Sequence, residues 1–361
     1  MKFRVACLLA GFVTFIQAAD TLAQTARTGA EIYEAACAAC HGSDGRGAPA
    51  LASDYPLVPP DFSDCSFATR EPAADWVAVG HAGGPARAFS RLMPAFGEAL
   101  SRADLELAVS HARSFCSNDA WPRGELNLPR ALVTTKAFPE DEAVLTVIAD
   151  DGTVTNKFVY EKRIGARSQY EVIVPLAFSE RAPGDWTGGV GDLAFAFKRV
   201  VAHSLRRGSI VSVAGELVVP TGSTERNIGA GTTVVEPFVA FGQRLPGRVF
   251  FQAQVGGSVP FDRDHADEAF WRTVVGQQFR QAEFGRLWAP MVEILGSREL
   301  ASGAPAHWDV LPQMHVTLST RQHIRANVGV RIPVNERTGR STQVLGYFLW
   351  EWFGGGLLTG W

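Results

Sequence analysis

Residues 323–333 set the tightest limit on what this chain can fold into: Ile324, Ala326, Val328, Val330 and Ile332 alternate with Arg325, Asn327, Gly329 and Arg331. A period of two places successive side chains on opposite faces of an extended strand, and an amphipathic helix cannot produce it. The pattern recurs upstream. Phe251, Ala253, Val255, Gly257, Val259 and Phe261 oppose Gln252, Gln254, Gly256 and Ser258, and Val211, Val213, Leu217 and Val219 oppose Ser212, Ala214 and Glu216. Similar runs surround residues 170–178, 193–199, 310–318 and 344–352. From residue 142 onward the chain therefore reads as antiparallel strands separated by turns.

Alternation alone fits a soluble sandwich or a membrane barrel, because both present one apolar and one polar face. Three features favour the barrel. The strands approach the nine to eleven residues, roughly, that cross a bilayer at a tilt. Aromatics gather toward strand ends, as with Phe270, Trp271, Trp288, Trp308, Trp350 and Trp352, which suits interfacial girdles. The chain also ends on Trp361, a feature of barrel assembly that a lone tail tryptophan can also mimic. At about eighteen to twenty residues per strand and turn, the segment holds about twelve strands, and an even number leaves both ends on one side of the membrane.

The preceding part of the chain is built differently. Cys37-Ala38-Ala39-Cys40-His41 sets two thiols about one helical turn apart with a histidine directly after them. That is the c-type haem attachment pattern, in which both thiols bond to the porphyrin vinyl groups and the histidine becomes the proximal iron ligand. A redox dithiol or half of a zinc site fits less well, since no second cysteine pair and no thioredoxin-like pattern accompanies it. Residues 28–37 read as a helix leading into the motif, with Ile32 and Tyr33 available to pack on a porphyrin. Gly42, Gly45 and Gly47 then let the chain turn tightly around its edge. Met93, before Pro94, is the candidate sixth ligand, with His81 and His111 as rivals and ordinary core packing as the bland alternative. The segment 101–116 reads as a closing helix, with Ser101 and Asp104 in capping positions and Leu105, Ala108, Val109 and Ala112 on one face.

At 361 residues the chain has room for two domains, and a net charge of −3 without a basic run gives no sign of a nucleic-acid partner. Residues 1–23 read as a secretory signal: positive charge in Lys2 and Arg4, an apolar stretch too short to span a bilayer as a helix, then small residues up to Ala23. Cys7 would leave with it. Of the four remaining cysteines, Cys37 and Cys40 are committed to haem, and in an oxidising compartment Cys65 and Cys116 form a candidate disulfide, two buried thiols being the alternative.

Cys37-Ala-Ala-Cys-His-Gly-Ser-Asp-Gly-Arg-Gly, followed by Met93-Pro-Ala-Phe-Gly and a closing helix, resembles a class I cytochrome c over roughly residues 27–118. The resemblance implies one covalent haem c, linked by Cys37 and Cys40 and ligated axially by His41 and Met93; the Cys65 and Cys116 pair is not part of that general pattern. Farther on, Val159-Tyr-Glu-Lys-Arg-Ile-Gly, Tyr170-Glu-Val and Gly191-Asp-Leu-Ala-Phe-Ala-Phe-Lys resemble the outer-membrane channels of the phenol meta-degradation pathway, implying passage of small molecules.

The expectation is thus a multidomain chain: a signal at 1–23, an all-α cytochrome c domain at 24–120, a Pro- and Gly-rich linker at 121–141, and an all-β antiparallel barrel of about twelve strands at 142–361. Its leading function is electron transfer from a periplasmic haem domain tethered to the outer membrane, with periplasmic redox proteins and outer-membrane lipid as partners. Two alternatives stand beside it: a channel whose haem domain serves as plug or sensor for a small-molecule permeant, and a periplasmic haem enzyme with a soluble β domain. For the enzyme no catalytic constellation is visible, because His203, His265, His307, His315 and His323 are scattered over separate strands and loops.

Overall fold

The computed structural model describes residues 27–48 and 59–351. The signal segment, Trp352 and Trp361 lie outside the described residues.

The alternating stretches form strands β1 (Glu142–Ala149), β2 (Thr153–Ile164), β3 (Ser168–Ala182), β4 (Asp185–Val190), β5 (Leu193–Ser204), β6 (Ser209–Val219) and β7 (Val234–Arg244). They continue as β8 (Val249–Pro260), β9 (Glu268–Gln277), β10 (Phe279–Arg280), β11 (Leu287–Glu299), β12 (Ala306–Thr317), β13 (Ile324–Pro333) and β14 (Gln343–Glu351). Pairing is antiparallel between sequence neighbours, and β1 pairs with both β2 and β14, which closes the sheet on itself. Of the fourteen strands, β4 is an outgrowth paired to the far half of β3 and β10 is a two-residue extension beside β11, leaving a closed barrel of twelve.

Which face points inward decides what kind of barrel this is. On β13, Val328 is 58% exposed while its neighbour Asn327 is 3% exposed; on β8, Val255 is 58% exposed while Gln254 is 3% exposed. Ser212, Glu293 and Lys198 are likewise buried, and Val213, Val292 and Phe197 face outward. Polar residues line the lumen and apolar ones the exterior, the inverse of a soluble sandwich. A continuous apolar exterior of this extent is unfavourable in water and favourable against lipid. The tryptophans fall at both rims: Trp271 and Trp308 meet edge-to-face at 5.3 Å near one, and Trp288 and Trp350 stand at the other.

The segment between the helical domain and β1 does not bridge solvent. Residues 127–141 thread into the lumen as a strap whose backbone is bonded by inward-facing side chains. Gln252 donates to the Pro129 carbonyl at 2.9 Å, Tyr347 to that of Arg130 at 2.8 Å, and Lys198 to that of Lys136 at 3.0 Å. The Glu293 carboxylate accepts the N–H groups of Leu132, Val133 and Thr134. Buried ions are matched: Arg130 lies 2.5 Å from both Glu142 and Glu161, and Lys136 pairs with Glu140. The sequence looks like a linker because Pro and Gly break its periodicity; it is ordered because the lumen satisfies its backbone polar groups one by one.

The helical domain sits on the rim formed by residues 163–167, 278–286 and 318–325. Phe284 joins the core of Ile32, Val77, Leu100 and Leu105. Polar contacts surround it: the Arg87 guanidinium donates to the Phe284 carbonyl at 2.9 Å, Arg102 meets Glu283 at 2.5 Å, and Arg167 donates to the Ala120 carbonyl at 3.0 Å.

Candidate functional site

Helix Gly29–Ala36 opens on a capping box, in which Thr28 and Glu31 exchange side-chain to backbone hydrogen bonds. It buries Ile32 and Tyr33 and hands the chain through Cys37 to the short helix Ala38–His41. Gly42 ends that turn at φ 74°, and the loop folds back so that Gly47 donates to the His41 carbonyl at 2.8 Å and Phe62 to that of Gly45 at 2.7 Å. Gly45 has φ 77°, and a Cβ there would meet the Phe115 ring at 2.5 Å, so the loop requires glycine on both counts. Tyr33 donates its hydroxyl to the Gly42 carbonyl at 2.9 Å, bracing the histidine from below.

Helix Arg102–Ser114 begins at a second capping box, Ser101 with Asp104, and buries Leu105, Ala108 and Ala112 against the first helix. Gly29 permits their close approach, since a Cβ there would stand 2.3 Å from the Leu107 carbonyl oxygen. A disulfide joins Cys116, past the end of this helix, to Cys65 on the short helix Cys65–Ala68, with Cα atoms 5.1 Å apart. Helix Ala73–Ala82 and the loop after it complete the wall: Gly84 donates to the Met93 carbonyl at 3.0 Å and Phe96 to that of Gly80 at 3.0 Å.

These elements enclose a cavity of about 580 Å³, within the size range of cofactor sites. Cys37, Cys40, His41 and Met93 all line it, against apolar walls that include Trp76, Phe96 and Leu105. Both thiols are free. The His41 ring stacks on Phe62 at 4.6 Å, and its buried Nδ1 has no hydrogen-bond partner. Burial holds the His41 imidazole below its ordinary pKa, which keeps it neutral and able to donate a lone pair. Burial, reinforced by Cys40, pushes the Cys37 thiol upward, so it is not an activated thiolate of the redox-dithiol kind. The rival ligands stand elsewhere. The His81 ring packs on Phe284 at 5.1 Å, and that of His111 lies edge-on to Phe115 at 5.1 Å; neither lines the cavity.

Residues 24–111 match the family model described as cytochrome C oxidase, cbb3-type, subunit III. The N-terminal unit is thus similar to cytochrome c-type domains over those residues. The rest of the chain is similar to solved outer-membrane barrels at low identity. It resembles the COG4313 outer membrane channel from Pseudomonas putida F1 at 12% identity and a TM-score of 0.43, covering 62% of this chain and 99% of that one. It resembles the KdgM porin in complex with disordered oligogalacturonate at 7% identity and a TM-score of 0.40, covering 58% and 99%. The NanC porin gives 6% identity, a TM-score of 0.41, and 58% and 98% coverage. Among curated proteins none matches the chain.

The helical domain does not wall its cavity alone. Arg321 and His323, from the barrel turn between β12 and β13, also line it, as do Arg70, Glu71, Asp75 and Arg87. His323 holds Glu71 at 2.7 Å across the domain junction. Burial opposes ionisation of Glu71, but the His323 hydrogen bond and charge, with Arg325 and Arg87 behind them, outweigh it and set the carboxyl below its ordinary value. Sequence reading places His323 among scattered histidines and does not single out Arg321, because a turn more than two hundred residues downstream carries no local sign of the cavity it closes. His315, by contrast, is a lumen residue bonded to the Tyr347 hydroxyl at 2.9 Å.

Proposed function

We propose that this chain is a c-type electron carrier, with one haem bonded through Cys37 and Cys40 and ligated by His41 and Met93, held at the outer membrane by its barrel. The observation that carries the reading is the convergence of both free thiols, a histidine whose buried Nδ1 has no hydrogen-bond partner, and the methionine on one largely apolar cavity. Bound there, a haem supplies a one-electron ferric and ferrous couple. The chain's own residues do the rest. His41 and Met93 would hold the iron, and with both side chains engaged the site would favour electron transfer over binding of a small molecule at iron. The apolar walls exclude water, and the loop between Ser90 and Phe96, tied to Gly80 and Gly84, holds the methionine in place.

A periplasmic position for the haem domain is supported by the loops. On its rim the turns at 165–167, 205–208 and 245–248 are short and those at 278–286 and 318–323 longer, while the opposite rim carries the longest loop, 220–233, with 261–267, 300–305 and 334–342 beside one short turn at 150–152. Outer-membrane barrels put short turns in the periplasm and long loops outside. The partners are then periplasmic redox proteins that approach the haem domain and the lipid around the barrel. The channel reading is less well supported, because residues 127–141 occupy the lumen.

The test is membrane fractionation of the expressed chain with haem staining, followed by reduction with a soluble c-type donor. Haem-stained protein in the outer-membrane fraction, reduced and reoxidised reversibly, is the expected result. Recovery in the soluble periplasm, or a mass without covalent haem, would overturn it.

A further inference from the structure

We propose that Arg321, carried by the barrel, binds a propionate of the haem, so that the membrane barrel supplies part of the cofactor site. This rests on the haem reading above.

A haem tethered by its vinyl edge to Cys37 and Cys40 presents two propionates at the opposite edge of the ring, and each needs a cation or a hydrogen-bond donor if it is not left in water. Besides His41, four side chains that can carry positive charge line the cavity: Arg70, Arg87, His323 and Arg321. The first three already face carboxylates within the protein. Arg70 pairs with Asp141, Arg87 with Asp75 at 3.0 Å, and His323 with Glu71 at 2.7 Å. Arg321 pairs with no carboxylate among the described residues. One Nη donates to the Ala88 carbonyl at 3.1 Å and the guanidinium lies 4.6 Å from the Phe89 ring centroid, while its buried Nε has no hydrogen-bond partner.

Arg321 is thus aligned by two contacts to the haem domain and retains an unused donor and an uncompensated charge. A guanidinium offers parallel N–H groups that match a carboxylate in two places, which a lysine cannot reproduce. The turn that presents it, residues 318–323, is braced by the Ser319 hydroxyl, which accepts from the backbone N–H groups of His323 and Ile324 at 3.1 and 3.0 Å. The consequence is mechanical as well as electrostatic: attachment of haem ties the cytochrome domain to the barrel through a bond that neither part makes alone.

The experiment uses the full membrane-inserted chain. Covalent haem is first measured by mass, and its absence from the wild type would strike the haem reading itself. In a chain with haem, Arg321→Gln is compared with Arg337→Gln, which removes the same charge from an exposed loop on the opposite rim. The oxidised haem carries one more positive charge than the reduced one and is relieved more by loss of a neighbouring cation, so the midpoint potential of R321Q falls while that of R337Q stays at the wild-type value. The propionate bending band in the resonance Raman spectrum reports the bond directly. It shifts in R321Q and also in R321K, which keeps the charge but loses the fork, so the band decides the matter even if R321Q fails to assemble. A potential in R321Q equal to that of R337Q, or a propionate band unmoved in R321K, overturns the proposal.

Discussion

Replacing Glu293 with alanine should release the lumen strap. In the native barrel the fully buried Glu293 carboxylate accepts five hydrogen bonds: from the backbone of Leu132 at 2.9 Å, Val133 at 3.1 Å and Thr134 at 2.7 Å, from the Thr134 hydroxyl at 2.5 Å, and from the Gln313 amide at 2.6 Å. Three successive backbone N–H groups cupped around one anion form a nest, and alanine removes the anion without replacing it. Each buried donor left unsatisfied costs about 1–3 kcal/mol, so three N–H groups lose about 3–9 kcal/mol of local stability, less whatever entering water restores. The lower end already raises the population of the detached strap roughly a hundredfold, at about 1.4 kcal/mol per factor of ten. Leu132 does have a second acceptor, the Gln313 amide oxygen at 3.1 Å, which places its share at the low end of the range. The Gln252 and Lys198 bonds to Pro129 and Lys136 remain, so the release is confined to the middle of the strap. Single-channel recording in planar bilayers reads the effect: the wild type is closed, E293A shows opening events, and E293Q, which keeps one carbonyl acceptor, lies between. An E293A barrel as silent as the wild type would refute the assignment of Glu293 as the anchor of a sealing strap.

Met93→Ala should keep covalent haem but lose the methionine-to-iron absorption band of the oxidised protein and lower its midpoint potential; an unchanged band would exclude Met93 as ligand. Paired Cys65→Ala and Cys116→Ala substitutions open a loop with a sequence separation of 51, and loop entropy puts the loss at about 4 kcal/mol, read as a lower urea midpoint for the haem absorbance transition. Burial of Glu125 opposes its charge, but the Arg113 fork and the Ala73 N–H outweigh that and hold the carboxyl below its ordinary 4.5. Its folded pKa being depressed, the stabilisation is complete above about pH 4.5 and is lost as pH falls through the lower folded value. Thermal melts of wild type and Glu125→Gln should therefore differ at neutral pH and converge in acid; equal melts at neutral pH would show that the pair contributes nothing.

The motif residues that line the cavity were legible because they are local. Cys37, Cys40 and His41 are adjacent in the chain, and the capping boxes at Thr28 and Ser101 announce the helices that carry and close the domain. Met93 stood out from the scarcity of methionine and the proline beside it. The strands were legible for the same reason, since a period of two survives whatever the partner strand is.

The fate of residues 127–141 was not legible. Pro122, Gly124 and Pro129 read as a boundary, and nothing in a stretch such as Leu132-Val133-Thr134 announces that its N–H groups will meet a glutamate some 160 positions later. Arg321 escaped notice for the same reason, its contact with Ala88 being 233 positions away in the chain.

Period-two alternation and the Cys37 to His41 motif thus placed a helical domain with a haem-attachment pattern before a large antiparallel sheet, because each is written in residues within a few positions of one another. Closure of β1 on β14 decided the rest. It turned Gln254, Glu293 and Asn327 inward and Val255 and Val328 outward, gave the strap a polar lumen to bind, and set the turn bearing Arg321 and His323 against the cavity of the helical domain. Those relations join residues that meet only after the ring is complete, and no local pattern can carry them.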